Sequence, residues 1–180
     1  ARRRRAATVA WAFVADPGSP AKGAAAEALF DSGLKLMKQG DFAQGCPKLE
    51  ESQAMDPAVG TLLYLAECYE RMGRTASAWA TFREAASMAR GSGQEARART
   101  GLERAERIEP LLSKLTIEVA RENTAVSGLE VVRGGDVVPA AVWGSALPVD
   151  PGEIRIEARA PGYKSWTGTV TVGGQSDQRS

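Results

Sequence analysis

The chain of 180 residues contains no histidine. It therefore has no Ser-His-Asp or Cys-His nucleophile, no imidazole acid–base group and no histidine-ligated metal site. Two cysteines are too few for a zinc site. The glycines at 91 and 93 are not followed by the Lys-Ser/Thr of a phosphate-binding loop. These absences predict a protein that is not an enzyme and that holds neither a metal nor a cofactor.

The chain also lacks a surplus of charge of either sign. Its formal net charge is +1, and the arginines of Arg2–Arg5 account for more than all of it. A basic surface is the electrostatic footprint of nucleic-acid binding. We therefore expect no nucleic-acid partner.

No long hydrophobic run is present, and the N-terminal apolar run, Ala6–Ala15, is ten residues long. A helix that spans a bilayer needs about 20 apolar residues, so the run predicts no transmembrane span. Preceded by Arg2–Arg5, it has the outline of a secretory signal, although Phe13 occupies a position before the expected cut that usually holds a small residue. Two interpretations stay open: an exported protein of the periplasm or cell envelope, and a cytoplasmic protein with a basic tail. Residues 1–22 are placed outside the fold in both.

The most informative stretch is Ala26–Pro57, which predicts two short antiparallel helices. Leu29, Gly33 and Leu36 recur at helical spacing. Gly40 is placed to end the first helix, and Asp41 can cap the second by accepting backbone N–H bonds.

A related unit follows at Val59–Arg90, and a fifth helix is predicted at Gln94–Ile108. The apolar or small residues of the second unit repeat those of the first at the same helical spacing: Leu62, Ala66, Tyr69, Ala78, Phe82 and Ala85. The fifth helix has one apolar stripe and is otherwise charged, as expected of a capping helix.

The first unit resembles the tetratricopeptide repeat. The positions that carry the resemblance are Gly33, Gly40-Asp41-Phe42, Gly45, Leu49, Ser52 and Asp56-Pro57. It implies a two-repeat helical array with a capping helix in residues 23–110, whose first helices form a groove for a protein or peptide partner. The groove positions are Glu27, Phe30, Asp31, Leu34, Met37 and Lys38 of the first unit and Leu63, Tyr64, Glu67 and Arg71 of the second. Alternatively, these side chains cover the N-terminal linker or pack against the cap.

Cys46 and Cys68 fall on the second and third helices, which are neighbours in a repeat stack. In an exported protein they can form a disulfide that closes a loop of about 20 residues and adds roughly 3 kcal/mol. The alternative is two small buried thiols that pack as apolar residues.

After Pro110 the hydrophobic period changes to that of strands. Strands are predicted at 115–119, 129–133, 137–141, 145–149, 154–158 and 166–172, with a hairpin turn at Gly134-Gly135. We expect a small antiparallel β-sandwich in residues 111–174 and a flexible tail at 175–180. Trp166 is predicted on the buried face.

The segments Val149–Glu153 and Ala160–Tyr163 resemble the turns of PEGA-type or carboxypeptidase-regulatory-like β-domains. Helical repeats followed by such a domain are similar to envelope proteins of deltaproteobacteria. The resemblance implies a scaffold whose β-domain attaches to another protein or to the cell wall. Two alternatives are the sensor or regulatory region of a larger receptor or serine/threonine kinase, and a carbohydrate-binding module that uses Trp143, Tyr163 and Trp166.

Overall fold

The computed structural model describes residues 20–180, and most of the predicted export signal or basic tail lies outside them. Five long α-helices come first. They are α1 (Pro20–Lys38), α2 (Phe42–Met55), α3 (Val59–Arg71), α4 (Thr75–Gly91) and α5 (Glu95–Ile108). Each helix packs against the next, and each connecting loop has three residues. Consecutive helices are therefore antiparallel, and α1 and α3 run in the same direction.

The turn between α1 and α2 forms as its residues predict. Gly40 has a φ of +81°, a backbone conformation that favours glycine. The carboxylate of Asp41 accepts a hydrogen bond from the Gln44 amide at 3.1 Å and so caps α2. Gly33 allows the two helices to approach closely, because a Cβ there would lie 2.9 Å from Leu49 Cγ.

The helical core lies between the helices and extends to the start of the β part. Leu49, Ala66 and Phe82 are almost fully buried, and Ile108 and Leu112 belong to the same cluster. The last helix therefore contributes to one continuous apolar core with α2, α3 and α4.

Seven short strands form two sheets in the second part. The strands are β1 (Ser113–Thr116), β2 (Glu130–Arg133), β3 (Asp136–Val138), β4 (Ala146–Val149), β5 (Gly152–Arg159), β6 (Trp166–Val172) and β7 (Gln178–Arg179). One sheet has the order β4-β1-β7 and the other β3-β2-β5-β6. Leu115, Val149 and Val172 are buried in a second apolar cluster that joins the sheets. The predicted order, helices followed by antiparallel sheets, is confirmed.

Several predicted boundaries are wrong. The helix α1 begins at Pro20, so residues 20–22 belong to the fold; proline suits the first helical position because its missing N–H would have no helical partner. The strand predicted at 115–119 ends at Thr116 and is followed by the short helix α6 (Arg121–Thr124). The strand predicted at 137–141 ends at Val138, because Pro139 cannot donate to a strand ladder.

The C-terminal residues are not a flexible tail. The strand β7 pairs with β1 in parallel, which departs from the predicted all-antiparallel arrangement. Ser176 donates from its backbone to Leu111 and from its hydroxyl to Pro110, at 3.1 and 2.6 Å. These bonds fix the segment to the junction between the helical and β parts.

Candidate functional site

The groove predicted on α1 and α3 has an aromatic pair at its centre. Phe30 of α1 and Tyr64 of α3 meet edge to face, with ring centroids 5.7 Å apart. Tyr64 is 43% exposed, whereas Phe30 is half-buried and packs on the core. The pair forms because the two helices are parallel neighbours across α2.

The apolar strip is narrower than the sequence predicts. Leu34, Met37 and Leu63 are partly buried and pack against the helical core. Much of the surface of these three side chains therefore lies within the helical core, and Tyr64 is the most accessible apolar side chain of the groove.

Charges are distributed unevenly along this surface. Glu27 lies in the N-terminal half of α1, Asp31 follows Phe30 directly in the C-terminal half, and Lys38 is the last residue of the helix. On α3, Arg71 is at the same end as Lys38, and its guanidinium lies 5.0 Å from the Phe42 ring centroid. Glu67 is partly buried between the two ends. A carboxylate thus lies at Glu27 on one side of the aromatic pair, Asp31 lies beside the pair, and the cations Lys38 and Arg71 form a basic end, about 16 Å from Glu27 along α1.

Cys46 of α2 and Cys68 of α3 form a disulfide, with their Cα atoms 5.7 Å apart. This is the pairing that the sequence left open beside two free thiols. Both cysteines are buried. The bond ties the helix behind the groove to one of the two helices that line it.

A cluster of polar side chains joins the helical part to the β part, and the sequence analysis did not predict it. Asp150, after β4, accepts hydrogen bonds from the Ser77 amide at 2.8 Å and from the Ser77 hydroxyl. The Arg74 guanidinium lies 3.2 Å from the same carboxylate and 4.2 Å from the Tyr69 ring centroid. An Asp-Pro pair after a strand predicts a turn. No residue near Asp150 in the sequence indicates that its carboxylate accepts a hydrogen bond at the start of α4.

Tyr69 connects this cluster to α2. Its hydroxyl donates to a carboxylate oxygen of Glu50 at 2.7 Å. Burial is the main cause that raises the pKa of Tyr69 well above its usual range, and the hydrogen bond to Glu50 adds to it. The phenol therefore stays protonated, and continues to donate its hydrogen bond to Glu50, at an alkaline pH at which a free tyrosine ionises.

The β part contains an apolar cleft of about 490 Å³ at one end of the larger sheet. Its floor includes Val131 and Ile156, and the segment after β1 forms a wall. Tyr163 and Trp166 line it and are 66% and 59% exposed. The prediction that Trp166 is buried is wrong, because the short strands of the smaller sheet do not cover this end of β6. Trp143 is half-buried and donates from its indole to the Val138 carbonyl at 3.1 Å, so it is a packing residue.

Among residues 20–180, no group of three acidic or cysteine side chains is arranged to hold a metal ion. Within the same residues, no helix combines the length and apolar character needed to cross a membrane. Comparisons with protein-family models and with curated protein sequences gave no match to this chain.

Proposed function

We propose that the chain is a non-enzymatic scaffold for protein–protein interaction in the bacterial cell envelope. In this proposal the helices α1–α5 are a two-repeat tetratricopeptide array with a capping helix, and the β part is a PEGA-like sandwich that acts as an attachment module. The observation that carries the proposal is the α1–α3 surface, where the exposed Tyr64 pairs with Phe30 between Glu27 and the basic end formed by Lys38 and Arg71.

The groove suits a peptide with an apolar residue between charges of opposite sign. An apolar side chain would pack on Tyr64 and Phe30, as in other helical grooves that bind peptides. A basic residue would lie towards Glu27, and an acidic residue or a terminal carboxylate towards Lys38 and Arg71. The charges would fix the direction of the peptide more than its affinity.

The Cys46–Cys68 disulfide supports export, since structural disulfides persist mainly in oxidising compartments. The cleft beside Trp166 and Tyr163 is the candidate attachment site of the β part. Exposed aromatic faces next to an apolar floor fit another protein or the sugar rings of the cell wall.

The groove can be tested with a library of short random peptides displayed on phage and selected on the immobilised protein. We expect enrichment of peptides with an apolar residue flanked by a basic residue on one side and an acidic residue on the other. Tyr64→Asp should abolish this enrichment, because a charge replaces the central apolar contact. Reversing the basic end with Lys38→Glu and Arg71→Glu should instead remove the preference for the acidic residue.

Val137→Asp provides the matched control, since Val137 is an exposed apolar residue of β3 and belongs to neither α1 nor α3. This variant should select the same peptides as the unmodified chain. Circular dichroism must show that Tyr64→Asp retains its helices. Selection of the same peptides by folded Tyr64→Asp would contradict the proposed groove.

A further inference from the structure

The C-terminal end of α3 brings a thioether to the Cys46–Cys68 disulfide. Met72 follows α3 directly, and its amide donates to the carbonyls of Cys68 and Tyr69, both at 3.1 Å. Residues four apart lie on the same face of a helix, so Met72 faces the same way as Cys68. Its sulfur atom lies 3.3 Å from the sulfur of Cys46. The methionine therefore contacts the disulfide itself.

Met72 borders water as well as the disulfide. It is 43% exposed, because Gly73, at a φ of +73°, ends the helix and no further turn of α3 covers the side chain. Cys46 and Cys68 are 1% and 0% exposed. The other three methionines of the chain also lie within residues 20–180 and are partly buried: Met37, Met55 and Met88. Met72 thus lies between solvent and Cys46 and is the most accessible thioether of the chain.

We propose that Met72 is a site of oxidation by hydroperoxides, and that its oxidation opens the Cys46–Cys68 disulfide to reduction by thiols. As a thioether, Met72 covers Cys46, and reduction is slow. As a sulfoxide, the side chain leaves Cys46, and thiols reach the disulfide. The site acts in the same way whatever the α1–α3 groove binds.

The first step is a two-electron oxidation of the thioether. The sulfur of Met72 attacks one peroxide oxygen, so that an S–O bond forms and the O–O bond breaks. The peroxide proton passes to the departing oxygen, which leaves as water or an alcohol, and the methionine becomes the sulfoxide. A polar sulfoxide in contact with a buried disulfide costs free energy unless a hydrogen bond compensates it. Because the side chain already borders water, it turns outward and uncovers Cys46.

The second step is thiol–disulfide exchange at the uncovered sulfur. A thiolate forms a bond to the sulfur of Cys46, the bond to Cys68 breaks, and the sulfur of Cys68 leaves with the electron pair and takes a proton from water. The Phe42 carbonyl oxygen lies 3.8 Å from the sulfur of Cys68 and can accept the resulting S–H. A second thiolate breaks the mixed disulfide, so both cysteines are reduced and two thiols are oxidised to one disulfide. Because the exchange rate depends on access, Met72 determines how fast the bond between α2 and α3 is released.

Mild treatment of the full chain with hydrogen peroxide, followed by peptide mass spectrometry, tests the first step. We expect Met72 to form the sulfoxide about fivefold or more faster than the three partly buried methionines, in line with its exposure. Oxidation of Met72 no faster than that of the other three would overturn the assignment of the site.

The second step is tested by the rate at which dithiothreitol reduces the disulfide, measured by trapping the freed thiols with iodoacetamide. After peroxide treatment the unmodified chain should be reduced about tenfold faster than before. Met72→Leu keeps the approximate size of the side chain but cannot be oxidised, so its reduction should be equally slow before and after peroxide. Met88→Leu is the matched control and should respond to peroxide as the unmodified chain does. Equal rates before and after peroxide in the unmodified chain, or the same acceleration in Met72→Leu, would refute the proposal.

Hydrogen exchange separates access to the disulfide from loss of the fold. The amides of Leu65 and Ala66, two buried residues in the middle of α3, should exchange at the same rates before and after oxidation of Met72. Unchanged exchange together with faster reduction would assign the effect to the uncovering of Cys46. If exchange at these amides accelerates by the same factor as the reduction, unfolding of the helices exposes the disulfide and the proposal fails.

Discussion

At the scale of single residues, the surroundings of Tyr69 raise the pKa of its phenol well above the usual range. It is buried on α3, donates to Glu50 of α2 and lies beneath the Arg74 guanidinium. Three segments of the helical part thus converge on one phenol. Its protonation state is therefore coupled to the folded structure.

Stability should fall at alkaline pH because of Tyr69. Its pKa in the folded protein lies above the ordinary value of 10.0, so its contribution is fully present below pH 10 and is lost as the pH rises through the folded pKa. The reason is that the unfolded chain ionises this phenol while the folded chain keeps it protonated. Urea unfolding between neutral pH and about pH 11.5 should show a decline above pH 10 in the unmodified chain.

Tyr69→Phe is the matched variant for this measurement. It should lose about 1 kcal/mol at neutral pH with the hydrogen bond to Glu50, and its decline above pH 10 should be smaller. Tyr163→Phe, at an exposed position in the β part, should behave as the unmodified chain does. If the stability of Tyr69→Phe declines equally above pH 10, titratable groups other than Tyr69 cause the decline.

At the scale of elements, the five long helices were predictable, whereas the short helix α6 and the ends of the strands were not. Gly40 and Asp41 determine the turn between α1 and α2 through local backbone and capping chemistry, which a sequence displays directly. The end of β3 depends on Pro139, but β7 consists of Gln178 and Arg179, which have no strand pattern. That strand forms because Asp177 and Ser176 bond to distant segments, and such partners are invisible in a local pattern.

The disulfide between α2 and α3 should contribute strongly to the stability of the helical part. Replacing both cysteines by alanine should lower the free energy of unfolding by about 3 kcal/mol, because the unfolded chain is no longer constrained by a closed loop. A reducing agent should lower the thermal midpoint of the unmodified chain and leave that of the double variant unchanged. If the reducing agent shifts the thermal midpoints of the unmodified chain and of the double variant equally, the two cysteines are not bonded in the folded protein.

At the scale of the whole molecule, the helical and β parts are joined by more than the chain itself. The Asp150 carboxylate caps α4 and pairs with Arg74, and Ile108 and Leu112 continue the helical core to the start of β1. Of the candidate sites, the sequence predicted the positions of the proposed groove and the proximity of the two cysteines, since both follow from helix positions. It could not locate this joint, because Asp150 and Ser77 are 73 residues apart and neither belongs to a recognisable motif.

Asp150→Ala should weaken the joint between the two parts. We expect a loss of about 1–2 kcal/mol in stability, as for other helix caps, and faster hydrogen exchange at the Ser77 amide. Glu122→Ala, which removes an exposed carboxylate from α6, is the control and should leave Ser77 protected. Unchanged protection of Ser77 in the Asp150 variant would show that the cap is not formed in solution.

The Asp150 cap also has a consequence for the order in which the molecule is completed during synthesis. Ser77 leaves the ribosome 73 residues before the carboxylate that caps its helix. At a synthesis rate near the upper end of 5–20 residues per second, the newly made helices wait roughly 4 seconds or longer for that group. During this interval α4 begins with an uncapped amide and Arg74 lacks one of its two carboxylate partners. The nascent helical array therefore reaches its final form only when the first strands of the β part have followed it.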